Sequence, residues 1–297
     1  MRTHIPARLL MLTAAGVAFV GVGLGGATGQ AADPFVAGQR STRSVTIGAT
    51  DAGRAVEHAA ALSRALGLPA GAGTVQRLDD RFEHRTYDEV VSRDRAGRAV
   101  ALARFGTDDR VVMALALGWR GSSAKAVSRA VAADRAAAFA RASRVAVAGL
   151  PAVSPVSSGW SIRWTRVASG APVLGDGVRV LLWPDGAFHG LAVSERPLAE
   201  APDRRIAAAK AERIAERTAA ARYGTKASGL SVGLSRLAWV APNDAWNAAA
   251  PDAPGGTLRL AWVVTLRTDG ALAERLRGLQ VWVDAGDGSV VGGDVME

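Results

Sequence analysis

Three times along this chain an alanine-rich stretch with helical character is followed by short runs that alternate between apolar and polar residues. The helical stretches begin near residues 51, 123 and 203, a spacing of roughly 70 to 80 residues that is too long and irregular for a solenoid. Alternation with a period of two marks strands that bury one face, and a helix must cover its own apolar stripe. Both needs are met when each helix lies on an antiparallel sheet. The expected fold class is therefore α+β, built of two or three such units that share sheets or pack together.

The first helix is predicted over about Asp51 to Leu66, ended by Gly67 and Pro69. Strands follow at Thr86 to Arg93 and Arg98 to Phe105, joined across Asp94–Gly97, and then a run with Val111, Met113, Leu115, Leu117 and Trp119 on one face. A second helix is expected from a cap at Ser122 or Ser123 to about Val147. Beyond it, Trp160, Ile162 and Trp164 alternate with Ser161, Arg163 and Thr165, and Val178 to Trp183 leads through an Asp185-Gly186 turn to Phe188–Val193. The third helix is placed from an Asp203 cap to Gly224, with Ile206, Ala207, Ala211, Ile214, Thr218 and Ala221 as its buried stripe. Leu258, Leu260, Trp262, Val264 and Leu266 then share one face of a strand, and Leu279–Glu297 reads as a hairpin about Asp287-Gly288. The expected organisation is 1–32 targeting segment, 33–50 flexible lead-in, 51–121 first α+β unit, 122–200 second and 201–297 third.

The targeting segment follows from residue order. Arg2 and Arg8 precede an uncharged run from Leu9 to Gln30, and Ala27–Ala32 supplies small residues for cleavage, the pattern of a secretory signal peptide. Left uncleaved, the same run would anchor the protein in a membrane; no later segment is both long and apolar enough to cross one. The expected location is secreted or extracytoplasmic, with association with the cell wall as a further expectation. The chain has no cysteine, which excludes disulfides, thiolate metal sites and a cysteine nucleophile. Its formal net charge is +9, and almost all the cationic charge is arginine. Such charge suits anionic wall polymers or lipid head groups. The arginines are scattered and no nucleic-acid motif accompanies them, so nucleic acid is not an expected partner.

Trp164-Thr-Arg-Val-Ala-Ser-Gly170-Ala-Pro172-Val-Leu-Gly175-Asp-Gly177-Val-Arg-Val, with the Asp185-Gly186 turn beyond it, resembles the FTP segment of the propeptides of thermolysin- and fungalysin-type metallopeptidases. The third helix, Leu260–Leu266 and the closing Val281-Trp-Val-Asp284-Ala-Gly-Asp-Gly288 resemble a PepSY domain, and the order of the two is that of those propeptides. The resemblance covers about residues 155–297, and the first unit matches more vaguely, as a degenerate relative. It implies cystatin-like units, each a helix on a curved antiparallel sheet, and a role in inhibiting or chaperoning a protease or in binding peptides outside the cytoplasm. The expectation is that no peptidase accompanies these units: no His-Glu-x-x-His motif occurs, and the PepSY-like hairpin is the last element of the sequence. The expectation is a non-catalytic protein with no cofactor, whose partner is a protein or peptide such as a secreted protease, or alternatively an anionic wall polymer.

Candidate chemistry is sparse. His58, His84 and His189 have no metal-ligand spacing, so no metal site is expected. Glu83, His84, Asp88 and Glu89 form the densest titratable cluster, but interleaved Arg81, Arg85 and Arg93 point to a solvated, salt-paired surface in place of acid–base catalysis. No Gly-x-Ser-x-Gly elbow or phosphate-cradling loop is present. Among the eight tryptophans, Trp183, Trp239 and Trp282 fall out of phase with neighbouring valines or leucines, and Trp246 lies in a long polar loop. These four are the candidate partner contacts, weighed against ordinary packing of indoles in a core.

Overall fold

A computed structural model describes residues 42–69, 71–80, 85–118, 125–224, 229–243, 246, 256–269, 273, 276 and 278–296. In chain order the elements are β1 (Thr42–Val45), α1 (Ala49–Ala65), β2 (Ala72–Asp80), β3 (Arg85–Arg93), β4 (Ala99–Gly106), β5 (Val111–Ala116), α2 (Arg129–Ala142), β6 (Ala152–Val156), β7 (Gly159–Ala168), β8 (Ala171–Leu182), β9 (Phe188–Ser194), α3 (Ala208–Tyr223), β10 (Leu230–Val240), β11 (Arg259–Thr268), β12 (Gly278–Asp284) and β13 (Val290–Met296). The fold is α+β. One large sheet, antiparallel except at β8–β10, runs β1-β2-β3-β4-β5-β9-β8-β10-β11-β12-β13, with β7 also paired to β8 and β6 to β7.

Each helix reaches its sheet through small residues four apart: Ala55 and Ala59 on α1, Ala132, Ala136 and Ala140 on α2, Ala211, Ala215 and Ala219 on α3. Residues four apart share a helix face, and a methyl side chain lets the backbone come close to the strands. On α3 this stripe replaces part of the expected one. Ile206 and Ile214 pack at its margin, Thr218 turns its hydroxyl back to the Ile214 carbonyl at 2.9 Å, and Ala221 is exposed.

The first two helices lie over one core. Ala55, Ala59 and Leu62 of α1 and Ala132 and Ala136 of α2 join Val90, Ala103, Phe105, Ala114, Leu191, Val180 and Ile162 from the strands beneath. The third helix has its own core, with Leu230, Val264, Leu266, Leu279, Val281 and Val283. Between them lies a smaller cluster of Ala171, Val173, Trp239, Leu258, Leu260 and Ala285.

Several element ends differ from those read in the sequence. Part of the expected lead-in is a strand, since β1 pairs with Arg77–Asp80 of β2, itself a segment expected to be a linker. Helix α2 begins after Ser128, whose Oγ accepts from the Val131 amide at 3.4 Å; Ser122 and Ser123 lie outside the described residues. Helix α3 begins after Ala207, not at Asp203, and ends on Gly224 in the left-handed conformation. In β5 the expected apolar side does not face the helices. Ala114 enters the core beneath them, while Met113 and Leu115 lie on the reverse side, and a bulge opposite Arg104/Phe105 returns Val111 to the core.

Candidate functional site

Strand alternation puts every second residue of the central sheet on the side away from α1 and α2. With Val90, Ala103, Ala114, Leu191, Val180 and Ile162 in the helix-side core, their neighbours face the other way. The register then aligns Glu89, Arg104, Met113, Ala192, Arg179 and Arg163 in one cross-strand row over β3, β4, β5, β9, β8 and β7. A second row lies two residues along each strand: Val91, Leu102, Leu115, Gly190 and Leu181. The first row is charged at both ends and the second is apolar; Val91, Leu102, Leu115 and Leu181 are half-buried. Neighbouring strands lie about 4.8 Å apart, so the six-strand row spans about 24 Å.

The charges on this face are held in place. Glu89 is buried and accepts from Gln76 Nε2 at 2.7 Å and from Arg104 Nε at 2.7 Å. Arg179 Nε donates to Ser161 Oγ at 3.2 Å and stands directly opposite Arg163. Beside them, β8 carries Gly175-Asp-Gly177, and a Cβ on Gly177 would come within 2.0 Å of the Trp164 carbonyl oxygen, at a φ of +129°. Only glycine permits that approach.

Asp176 between these glycines is the most tightly bound carboxylate in the region, with a fully buried side chain. It accepts from the Arg196 amide at 2.7 Å, Arg196 Nε at 2.7 Å and Ser194 Oγ at 3.0 Å, with Arg166 Nη1 at 3.5 Å. The two arginines also donate to backbone carbonyls, Arg196 to Leu174 at 2.9 Å and Arg166 to Arg196 at 2.8 Å. Three or four donors on one buried carboxylate offset the cost of removing it from water. A hollow of about 10 Å³ opens here, lined by residues including Arg163, Gly177, Arg179, Ala192 and Ser194. It has room for about one water molecule, far below the few hundred Å³ of a substrate pocket.

The candidate tryptophans occupy other places. Trp239 is 1% exposed, and its Nε1 donates to the Ala168 carbonyl at 3.0 Å. Trp246 is 8% exposed, donates to the Gln280 carbonyl at 2.8 Å and lies edge-on to Tyr223. Trp183 is 3% exposed and stacks on His189 at 3.8 Å between ring centroids. These three indoles fill the interior of the chain. Trp282 is half-buried on the side of β12 away from α3, near Ala238, Val263 and Val291.

The titratable cluster splits between two faces of β3. Asp88 lies on the helix side, paired with Arg77 at 2.6 and 2.9 Å, and Arg77 reaches Asp51 of α1 at 3.3 Å. Hydrogen bonding to Asp88 holds the Arg77 guanidinium above its ordinary pKa. Asp88 and Glu89 are thus salt-paired as expected, but they are buried and pair with Arg77 and Arg104, not on a solvated surface; Arg81 lies outside the described residues. Glu83 and His84 lie outside the described residues. His58 sits 3.7 Å from Asp109, and burial alone pushes His189 down to a pKa of about 4. Among the described residues no three His, Asp or Glu side chains converge as metal ligands, and no helix is long and apolar enough to cross a membrane.

The sequence reading missed Asp176 and its arginines. Their only signal was Gly175-Asp-Gly177 within an alternating run, a pattern equally typical of a turn.

No protein-family model matches the chain, and neither does any curated protein. Among solved structures, the chain is similar to one described as the Bacillus megaterium YpeB C-terminal domain. The alignment covers 84% of this chain and 98% of that one, at 12% identity and a TM-score of 0.47. A likeness of that size assigns no function and no site residues.

Proposed function

We propose that this chain is an extracytoplasmic, non-catalytic binding protein built of FTP- and PepSY-like, cystatin-like units, and that it acts by covering part of a peptide or protein partner. The observation that carries this reading is the face of the central sheet that no described helix covers, where a charged row lies beside an apolar one. Such a face can take a polypeptide side-on, burying aliphatic groups while orienting charged ones. The Gly170-Ala-Pro172-Val and closing Asp287-Gly288 segments support a propeptide-like role, and Arg2, Arg8 and the apolar run after them support export. The partner in this reading is a secreted protease, slowed by occlusion of its surface. Purified protein added to a panel of secreted metallopeptidases should slow at least one of them and form a complex with it. Unchanged rates and no complex across the panel would sink the proposal.

A second reading, binding of an anionic wall polymer, draws on the excess of arginine. Retention on isolated wall material should then collapse as ionic strength rises and the Debye length falls below about 10 Å.

A further inference from the structure

We infer that the outer edge of β13 is a latent self-pairing edge held shut by the side chain of Asn243, and that the occupant it keeps out is a second copy of this chain. β13 is the last strand of the sheet, and among the described residues no strand lies beyond it. Unpaired amides and carbonyls along such an edge are a template for another chain. Here one residue covers them. The Asn243 amide donates to the Val291 carbonyl at 3.0 Å, its Nδ2 donates to the Gly293 carbonyl at 2.9 Å, and its Oδ1 accepts from the Gly293 amide at 3.0 Å. A carboxamide has the donor and acceptor of a peptide group, so this side chain stands where the main chain of a neighbouring strand would. The next amide in the row, that of Val295, donates to Asp294 Oδ1 at 2.9 Å.

The sequence of β13 is fitted to this cover. A Cβ at Gly292 would come within 2.6 Å of Asn243 Oδ1, at a φ of +151° that side chains rarely adopt. A Cβ at Gly293 would overlap the Trp246 ring and the Gln280 carbonyl. Trp246 donates to that carbonyl at 2.8 Å and packs into the core beneath α3, which anchors the chain just beyond Asn243. Glycine inside a strand weakens it and marks a close approach by another backbone. Once uncovered, the same glycines offer a foreign peptide no side chain to read at the centre of the edge. They do suit self-pairing. An antiparallel pair about Gly293 sets that residue against itself, exchanging both main-chain bonds, and sets Gly292 against Asp294, so no like charges meet. The Val291 carbonyl of one copy then meets the Val295 amide of the other, and the two-fold axis closes the assembly as a dimer.

The test uses the full mature chain. Light scattering should show the wild type as a monomer from about 1 μM to about 1 mM, and amide hydrogen exchange should show its Gly293 protected. Asn243→Ala/Trp246→Ala removes the carboxamide and its anchor. It should dimerise with a Kd of about 10–100 μM, as suits a contact below standard interface size. In that variant Gly293 should exchange about tenfold faster when dilute and regain protection when concentrated. Adding Val295→Pro deletes an outward-facing amide that the ladder to β12 does not use, and should return the variant to a monomer. Circular dichroism establishes that each variant is folded. Asn243→Pro, which removes all three bonds and leaves Trp246 in place, serves if the double variant is not. A released variant that stays monomeric overturns the inference, as does a wild type that dimerises equally or exchanges Gly293 freely. Species larger than a dimer, or association that survives Val295→Pro, overturn it in favour of an apolar surface bared by the loss of Trp246. A Thr-Val alternating hexapeptide that binds the released variant while no dimer forms overturns it in favour of a foreign strand.

Discussion

The seam between the first and second helical layers and the seam between the second and third are built from different materials. At the first, β5 and β9 pair antiparallel through Met113–Ala192, Ala114–Leu191 and Leu115–Gly190, and residues from both layers enter one continuous core. At the second, β8 and β10 meet in parallel at the single pair Val173–Trp239. Around that pair are the small Trp239 cluster and the Leu198–Leu258 bridge; the Asp176 network lies within the second layer and reaches this seam only through Arg196, two residues before Leu198. A seam made of shared core has no place to open without exposing both layers to water. A seam made of one indole cluster and one bridge has discrete parts, and each is removable.

The largest effects should come from deleting one side chain on each seam. Trp239→Ala removes the indole and its bond to Ala168, and Leu191→Ala opens a hole in the shared core. Each is expected to cost about 3–5 kcal/mol in denaturant unfolding. The form of the transition is what separates them. Leu191→Ala should still unfold in one step when followed by tryptophan fluorescence and by circular dichroism. Trp239→Ala should separate the two probes, as the third layer loosens before the first two. Coincident transitions in Trp239→Ala would show that the second seam is as cooperative as the first.

The first seam was more legible in the sequence than the second, for a physical reason. Helix and strand periodicity reports which residues face a core, so α1, α2 and the alternations at Ile162 and Val180 were readable from local order. The side of β5 that meets the helices was not, because alanine at 114 buries as well as leucine would when a helix comes close, and a bulge shifts the phase. The Asp176 network joins residues 10 and 20 positions apart through a bend in β8, and no local period records such a contact. Indoles out of phase with their neighbours suggested partner contacts, yet Trp239 packs into a third cluster that exists only once both sheets are in place.

Breaking the ion network tests the second seam indirectly, through the segment that runs from Arg196 to the Leu198 bridge. Asp176→Asn keeps the shape but leaves Arg196 without a compensating charge and Arg166 with only the exposed Glu195 at 3.9 Å. Because both guanidinium groups retain some exposure, the cost should fall near the lower end of that for a broken buried pair, about 3 kcal/mol. It should appear in the same early transition that Trp239→Ala advances. If the loss is spread evenly over the whole unfolding curve, Asp176 belongs to the common core and not to the seam.

The first seam has its own titratable group. His189 lies on β9, stacked on Trp183, and burial lowers its pKa from 6.5 to about 4. The folded state then favours the neutral ring, and the unfolded chain binds the extra proton. The resulting stability is complete above pH 6.5 and is lost as pH falls towards 4, amounting at most to about 3 kcal/mol. His189→Phe should flatten that part of the stability-against-pH curve while keeping the stack. A slope unchanged by the substitution would place the acid sensitivity elsewhere.

The smallest effect isolates one contact of the ion network. Ser194 Oγ donates to Asp176 Oδ1 at 3.0 Å, and Ser194→Ala should cost about 1 kcal/mol, the usual net worth of such a bond, or somewhat more because its acceptor is charged. On an Asp176→Asn background the same substitution should cost less, since the amide has no charge to share. The difference between the two costs is the coupling of Ser194 to the carboxylate, separate from the packing its hydroxyl provides. Ser194 also lines the hollow beside Arg163 and Arg179. A coupling near zero would mean that the hydroxyl contributes by packing alone and that its bond to Oδ1 adds nothing to the hold on Asp176.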